Sequence, residues 1–176
     1  GKGADKLVHR ALTADAEGVA SPELFAQGRA AFFDIYGREN GRRAVEYPGV
    51  RDGLDAMRAN GLRLACVTNK PGDFTLPLLQ RCDLARYFEL VVSGDSLPRR
   101  KPDPLPTTHV CQVFGVPPER VVAIGDSGND ALAARAAGMQ VLVVPYGYNE
   151  GNDVSLLDTD GIVPSLLVAA GLIGAA

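Results

Sequence analysis

The amino-acid sequence contains no long apolar run and no basic stripe. No apolar stretch approaches the ~18–20 residues that a membrane-spanning helix needs. The formal net charge is −3, and basic clusters such as Arg42-Arg43 and Arg99-Arg100-Lys101 are too short to form a nucleic-acid-binding surface. The sequence therefore predicts a protein whose partners include neither a membrane nor a nucleic acid.

Cysteine and histidine are scarce as well. The three cysteines, Cys66, Cys82 and Cys111, are widely spaced in apolar segments and form no Cys-x-x-Cys motif. An odd number of cysteines without such a motif is typical of buried free thiols in the reducing cytoplasm. With His9 and His109 as the only two histidines, a zinc site is not expected. We therefore expect a cytoplasmic protein without disulfides or zinc.

Two kinds of hydrophobic pattern divide the chain. Residues 1–46 show helical periodicity and no strand pattern, and Ser21-Pro22-Glu23 has the N-cap, proline and early acid that begin a helix. Residues 47–176 alternate between helical segments and short apolar runs. The runs that we predict to be strands are 62–68, 89–93, 121–125 and 140–144.

The predicted strands are continuous and rich in Val, Leu and Ile. Strands of this composition are typical of sheets that helices cover on both faces. The fold class that follows is α/β, with a doubly wound, mainly parallel, Rossmann-like sheet. Ligands bind to such sheets at the carboxyl ends of the strands.

Polar residues follow three of the predicted strands at the points where these strands end. The set consists of Thr68, Asn69, Lys101, Asp126, Ser127 and Asp130. Singly, each has an ordinary structural explanation: Thr68, Asp126 or Ser127 as a helix cap, and Lys101 as a solvated loop residue. Their shared position after successive strands favours a single site instead.

This combination of side chains suits a phosphate group. A hydroxyl and backbone N–H groups bind phosphate oxygens, and a lysine neutralises charge on a transferring phosphoryl group. A carboxylate at a strand end holds a hard cation such as Mg²⁺ through oxygen. The sequence therefore predicts a site for phosphate and Mg²⁺ at the carboxyl edge of the sheet.

Three motifs around these residues resemble a known family. The segments "VTNKP", "RRKPDP" and "AIGDSGND" are similar to the second, third and fourth motifs of haloacid-dehalogenase-superfamily phosphatases. The stretch from Tyr47 to Leu84 and the segment "PYGYNEG" resemble phosphoglycolate phosphatases in particular. The resemblance runs from Gly1 to near the carboxyl terminus.

The resemblance implies a role for each residue of the set. Thr68 and the Asn69 backbone would bind phosphate, and Lys101 would bridge the phosphate and a nucleophile. Asp126 would be the Mg²⁺ ligand, so that Lys101 and Asp126 would be the catalytic residues. Asp130 and Ser127 would lie behind these residues and orient Lys101 or a water molecule.

The implied activity is that of a Mg²⁺-dependent phosphatase for a small phosphorylated metabolite, with 2-phosphoglycolate as the first candidate. The family reaction has two steps, in which an aspartate attacks phosphorus and water then hydrolyses the aspartyl phosphate. Two alternatives stay open: a non-catalytic phosphate-binding module, and a phosphatase of the same superfamily for another small sugar or organic phosphate. A receiver-type signalling domain fits the helical leader and the "KPDP" loop less well. No feature indicates the oligomeric state.

One motif of the family is absent from the sequence. The first motif, Asp-x-Asp-Gly-Thr, supplies the nucleophilic aspartate, and the resemblance implies that it lies upstream of Gly1. On this interpretation, residues 1–46 are the remainder of a helical cap, and residues 47–176 are a core domain that lacks its first strand. We then expect an open slot between the strands ending at Thr68 and Asp126, and no phosphatase activity from this chain alone.

A second Asp-x-Asp-Gly candidate occurs at Asp158-Thr159-Asp160-Gly161. Only Val154-Ser155-Leu156-Leu157 precedes it, which is too weakly apolar for a central buried strand. We therefore interpret the segment as a turn.

The expected cap also contains basic residues that could meet a substrate carboxylate. They are Lys2, Lys6, His9 and Arg10. Each is more typical of a solvated helix face, so the sequence assigns none of them to substrate binding.

Overall fold

The computed structural model describes residues 3–173. The α-helices within these residues are α1 (Ala4–Thr13), α2 (Pro22–Glu39), α3 (Val50–Ala59), α4 (Gly72–Arg81), α5 (Leu105–Phe114), α6 (Gly128–Ala136) and α7 (Leu166–Ile173). The strands are β1 (Ala65–Val67), β2 (Leu90–Val92), β3 (Val122–Gly125), β4 (Gln140–Val143) and β5 (Gly161–Ile162). Short 3-10 helices occur at Ala85–Tyr87, Pro118–Arg120 and Val154–Leu156. No helix in this part of the chain is long and apolar enough to cross a membrane.

The four predicted strands are present, and each of them is shorter than predicted at one end or at both. The run 62–68, for example, forms only β1, because its parallel pairing with β2 covers just Ala65 to Val67. Strand β5 was not predicted from the sequence. This strand has two residues, too few to show a hydrophobic pattern, and it is defined only by its pairing with β4.

All strand pairings are parallel. β1 pairs with β2, with Cys66 opposite Val91, while β3, β4 and β5 form a second sheet in that order. Among the strands of residues 3–173, no pairing joins β1 to β3. The parallel arrangement brings the carboxyl ends of paired strands to the same edge. The expected α/β class with parallel strands is confirmed.

Strand β4 shows that helices cover both faces of its sheet. Val141 and Val143 are fully buried in a cluster with Ala131 and Ala134 of α6. Leu142, between them, packs on the opposite side in a cluster that includes residues of α3 and α7. Because successive side chains of a strand point to opposite faces, this alternation is the mark of a doubly wound sheet.

Helices α1 and α2 pack against each other, and α2 also packs against the start of α4. His9 of α1 stacks on Phe25 of α2, with ring centroids 4.0 Å apart. Phe74 of α4 contacts both Phe33 and Tyr36 of α2, each at a centroid distance of 4.9 Å. Such aromatic pairs contribute about 0.5–1.5 kcal/mol each beyond the burial of their area. The division into a cap and a core at residues 46 and 47 stays a prediction.

The cysteines are free, and no disulfide forms among the described residues. Cys111 is buried, whereas Cys66 and Cys82 are half-buried, so the expectation of three buried thiols is only partly correct. Burial raises the pKa of the Cys66 and Cys111 thiols above its ordinary value. A raised pKa keeps these thiols protonated and therefore weakly reactive.

Gly53 of α3 lies directly against the backbone of α7. A Cβ at this position would meet the carbonyl carbon of Leu166 at 2.5 Å and the nitrogen of Leu167 at 2.6 Å. Since only a shift of α7 relieves this overlap, Gly53→Ala is expected to lower the free energy of unfolding by about 1–3 kcal/mol. Chemical denaturation measures the change.

The matched control for this prediction is Gly171→Ala in α7. Nothing lies within 4 Å of a Cβ at Gly171, and alanine has the higher helix propensity. The control is therefore expected to be neutral or slightly stabilising. Equal destabilisation by the two substitutions would contradict the close contact between α3 and α7.

Candidate active site

A cavity of about 610 Å³ lies at the carboxyl ends of β1 and β3, a volume that suits a small-molecule ligand. The loop that follows each strand forms part of its wall. The sequence-predicted residues in the wall are Thr68, Asn69, Lys101, Asp126, Ser127 and Asp130. The structure thus brings the whole set together, and the chemical roles of its members stay predictions.

An ion pair between Lys101 and Asp130 lies at the back of the cavity. Nζ of Lys101 is 2.6 Å from Oδ1 of Asp130, and only 13% and 16% of the two side chains are exposed. The same ammonium donates to the carbonyl oxygen of Val67, the last residue of β1, at 2.5 Å. Lys101 therefore contacts the end of β1 and the first turn of α6 at once.

Asp130 also holds the turn between β3 and α6. Its Oδ2 accepts a hydrogen bond from the Ser127 hydroxyl at 2.6 Å and a longer one from the Asp126 N–H at 3.4 Å. Burial alone would raise the pKa of the Asp130 carboxyl, but Lys101 and these hydrogen bonds outweigh it and lower the pKa below its ordinary value. The carboxylate form is therefore favoured, and it fixes the position of Lys101.

Ser127 stands at the N-cap position of α6, but its side chain makes no capping hydrogen bond to the helix. Its hydroxyl donates to Asp130 instead. Thr68 does not cap α4 either, because Pro71 occupies that N-cap position. The helix-cap explanation is therefore wrong for both residues.

Asp126 lies in the cavity wall beside the loop that follows β4. Its Oδ2 accepts a hydrogen bond from the Tyr148 N–H at 3.0 Å. Gly147, at a φ of +124°, lets the loop come this close, since a Cβ there would lie 2.2 Å from the same oxygen. No cluster of three or more His, Cys, Asp or Glu residues within 3–173 is arranged to hold a metal ion. Asp126 therefore belongs to no preformed cluster of such side chains in this part of the chain.

The loop after β1 is tied to the segment that carries Lys101. The Thr68 hydroxyl accepts a hydrogen bond from the Lys70 N–H at 3.1 Å, which shapes the loop into a tight turn. Nδ2 of Asn69 donates to the carbonyl oxygen of Lys101 at 2.8 Å. Gly94 allows the close approach of this loop, because a Cβ there would lie 2.2 Å from the Asn69 carbonyl oxygen.

Helices α1 and α2 form the opposite wall of the cavity. Lys6 lines it and pairs with Glu17 at 2.7 Å, and Arg10 lines it and pairs with Glu150 at 3.1 Å. His9 instead stacks on an aromatic ring and accepts the Ala20 N–H at 3.2 Å, as expected of a structural residue. Lys2 lies outside the described residues.

Sequence reasoning missed several residues of the cavity wall. They include Phe32, Tyr36, Lys70, Tyr148 and Glu150. Lys70 lies inside the "VTNKP" motif, and Tyr148 and Glu150 lie inside "PYGYNEG", so the motifs contained a signal for three of them. Phe32 and Tyr36 carried no such signal, because their helical spacing resembles that of any buried helix face.

The Asp158–Gly161 segment lies at the other edge of the sheet. Asp160 accepts the Val141 N–H at 2.7 Å, near the amino end of β4, and binds the Arg135 guanidinium through both carboxylate oxygens at 2.9 and 3.0 Å. Asp158 pairs with the same arginine at 3.2 Å. The segment does not reach the cavity. Its aspartates bind Arg135 and the β4 backbone, and Gly161 already belongs to the edge strand β5, so the segment is more than the simple turn that we expected.

A family model for haloacid dehalogenase-like hydrolases matches residues 1–138. The chain belongs to this family of hydrolases. A phosphoglycolate phosphatase of Nitrosospira multiformis is 53% identical over 173 residues, covering 98% of this chain and 76% of that protein. A phosphoglycolate phosphatase of Thiobacillus denitrificans is 51% identical over 170 residues, covering 97% of this chain and 75% of that protein.

The fold comparison agrees with this haloacid-dehalogenase-like assignment. A crystal structure of a predicted phosphoglycolate phosphatase from Haemophilus somnus 129PT superimposes with a TM-score of 0.91 at 33% identity, covering 98% of this chain and 78% of that chain. The expected Rossmann-like α/β fold is confirmed. The expected enzyme class, a phosphoric monoester hydrolase similar to phosphoglycolate phosphatases, is confirmed as well.

The first prediction from this geometry concerns the Lys101–Asp130 ion pair. Asp130→Asn leaves the Lys101 ammonium largely buried without its charged partner, so the free energy of unfolding is expected to fall by about 1–3 kcal/mol. Asp158→Asn is the control, since its side chain is 81% exposed. If both variants unfold at the same denaturant concentration, the pair does not stabilise the fold.

The second prediction concerns the Asp158–Gly161 segment. Because both aspartates lie at the amino edge of the sheet, Asp158→Asn and Asp160→Asn are expected to keep phosphatase turnover of the full-length protein close to that of the wild type. Steady-state kinetics measure the turnover, and thermal unfolding shows whether each variant is folded. A variant that is folded but inactive would indicate that this segment belongs to the active site.

Proposed function

We propose that this chain forms the cap and core of a Mg²⁺-dependent phosphatase for small phosphomonoesters, with 2-phosphoglycolate as the first candidate substrate. The observation that carries the proposal is the Lys101–Asp130–Ser127 network, with Asp126 and Thr68 in the same cavity. This network places a fixed ammonium beside a carboxylate and a hydroxyl, the groups that phosphoryl transfer requires. The phosphatase relatives support the choice of substrate.

In this proposal the substrate phosphate lies between the β1 and β3 loops. The Thr68 hydroxyl and the Asn69 backbone N–H bind its oxygens, and Lys101 neutralises the charge that develops on them. Asp130 and the Val67 carbonyl oxygen already hold the Lys101 ammonium, so its position does not have to be set when the substrate binds. Charges fixed in advance stabilise a transition state most effectively.

Asp126 supplies the protein carboxylate for Mg²⁺. The donor set fits this ion, because Mg²⁺ is usually held by one or two carboxylates together with substrate phosphate and water. The hydrogen bond from the Tyr148 N–H orients the carboxylate in the cavity wall. When bound, Mg²⁺ supplies charge stabilisation for the phosphoryl oxygens.

The proposed reaction also needs a nucleophile. We infer that it is an aspartate on a strand between β1 and β3, which lie in different sheets within residues 3–173. Backbone groups that are buried there without a partner would cost about 1–3 kcal/mol each, which an inserted strand avoids. Such a strand would end beside Lys101, whose ammonium contacts the last carbonyl of β1. The reaction would then proceed through an aspartyl phosphate.

Helices α1 and α2 complete the site as a cap. They form the wall of the cavity that faces the phosphate-binding groups. A wall in this position excludes bulk water from the reacting phosphate and selects the organic part of the substrate.

Phosphate release by the full-length protein tests the proposal. We expect hydrolysis of 2-phosphoglycolate that depends on Mg²⁺ and stops in excess EDTA. Asp126→Asn is expected to lower kcat/KM about 10²–10³-fold at limiting Mg²⁺, since it removes the anionic ligand of the ion. Asp158→Asn serves as the matched aspartate control at the opposite edge of the sheet.

Two results would count against the proposal. Equal Mg²⁺ dependence of the Asp126→Asn variant and the wild type would remove Asp126 as the ligand. Binding of inorganic phosphate without turnover of any small ester would favour a non-catalytic phosphate-binding module. Turnover of another sugar or organic phosphate, but not of 2-phosphoglycolate, would support the phosphatase reaction and contradict 2-phosphoglycolate as the substrate.

A further inference from the structure

Basic side chains in the cavity wall differ in the charge of their partners. Those among the described residues are Lys6, Arg10, Lys70 and Lys101. Lys6 pairs with Glu17, Arg10 with Glu17 and Glu150, and Lys101 with Asp130. Lys70 differs from the other three, because within residues 3–173 its ammonium contacts only neutral groups.

The neutral partners of Lys70 both belong to the end of the cap. Its Nζ donates to the Tyr36 hydroxyl and, at 3.4 Å, to Oδ1 of Asn40. The ammonium also lies 4.7 Å from the centroid of the Tyr36 ring. Neutral oxygens and a ring face orient an ammonium, but they leave its charge uncompensated.

The orientation of these partners is fixed by packing. Asn40 is buried, and its Nδ2 donates to the carbonyl oxygen of Phe74 at 2.7 Å, which turns its Oδ1 toward Lys70. The Tyr36 ring packs edge-on against the Phe74 ring at 4.9 Å. The Lys70 ammonium is therefore held in one position by these contacts.

The backbone of Lys70 belongs to the loop that we assign to phosphate binding. Its N–H donates to the Thr68 hydroxyl at 3.1 Å, while its side chain reaches toward α2. A phosphate ester bound at Thr68 and Lys101 would extend its organic part across the cavity toward the cap. Among the described basic residues of the wall, Lys70 is the one that such a group would meet without displacing a protein carboxylate.

We propose that Lys70 binds a carboxylate of the substrate, so that the enzyme prefers short phosphate esters that carry a carboxylate close to the phosphate. This inference rests on the proposed function, and it names the residue that selects the substrate. Tyr36 and Asn40 are positioning residues that hold the ammonium in place.

Two pairs of compounds that differ only in this carboxylate test the inference. Phosphonoacetate and methylphosphonate are non-hydrolysable ligands for calorimetric titration of the full-length protein with Mg²⁺. The esters 2-phosphoglycolate and methyl phosphate are the corresponding substrates for steady-state kinetics. The wild type is expected to bind phosphonoacetate more tightly than methylphosphonate and to have a higher kcat/KM for 2-phosphoglycolate.

Lys70→Gln is expected to reduce both preferences about 10–100-fold, the range for loss of a charge-assisted hydrogen bond. Lys70→Arg keeps the charge and is expected to restore part of the preference. Lys6→Gln is the matched comparison, because Lys6 lines the same cavity but already has a carboxylate partner. Thermal unfolding of each variant checks that it is folded.

The outcomes distinguish this inference from the proposed function. If Lys70→Gln weakens both members of each pair equally, or if Lys6→Gln alone removes the preference, the assignment of Lys70 is overturned. A wild type that hydrolyses both esters equally well also overturns it, while the phosphatase proposal stands. Absence of Mg²⁺-dependent hydrolysis with every ester would overturn the proposed function itself.

Discussion

The ion pair between Lys101 and Asp130 is the interaction on which the geometry of the site depends. Lys101 contacts the last carbonyl of β1, and Asp130 belongs to the first turn of α6, directly after β3. These two strands are in separate sheets within the described residues, so the pair joins the sheets at their carboxyl edge. The pair is largely removed from water, which strengthens the attraction between its charges and makes the loss of either partner costly.

The packing of α6 explains how Asp130 reaches this position. Ala131 and Ala134 are buried in one cluster with Val141 and Val143 of β4, and side chains of this size let the helix lie close to the sheet. Gly125 then allows the Asp130 side chain to approach the strand end, because a Cβ there would lie 2.2 Å from the Cβ of Asp130. Small residues under the helix and glycine at the strand end thus place a carboxylate where a larger residue would exclude it.

The sequence was sufficient to predict what depends on short-range pattern. Continuous apolar runs such as 121–125 and 140–144 predicted parallel strands, and the rule for strand ends predicted that Thr68, Lys101 and Asp126 would meet. Contacts between residues that are far apart in the sequence leave no periodic hydrophobic pattern from which they could be predicted. β5 is an example, since its two residues become a strand only beside β4. The contact of Lys70 with Tyr36 is another, because 34 residues separate the partners and neither residue type is unusual on a helix or in a loop.

Two of the contacts that α1 and α2 make with the rest of the chain differ in strength. Arg10 and Glu150 pair across the cavity, but their side chains are 27% and 43% exposed, and ion pairs of this exposure contribute little to stability. The contacts of Phe33 and Tyr36 with Phe74 are aromatic, and the buried Asn40 amide adds a hydrogen bond beside them. The orientation of α2 against α4 therefore depends mainly on this aromatic contact. Since Lys70 donates to Tyr36 and Asn40, the ligand that we propose for Lys70 would lie beside the contact that orients α2 against α4.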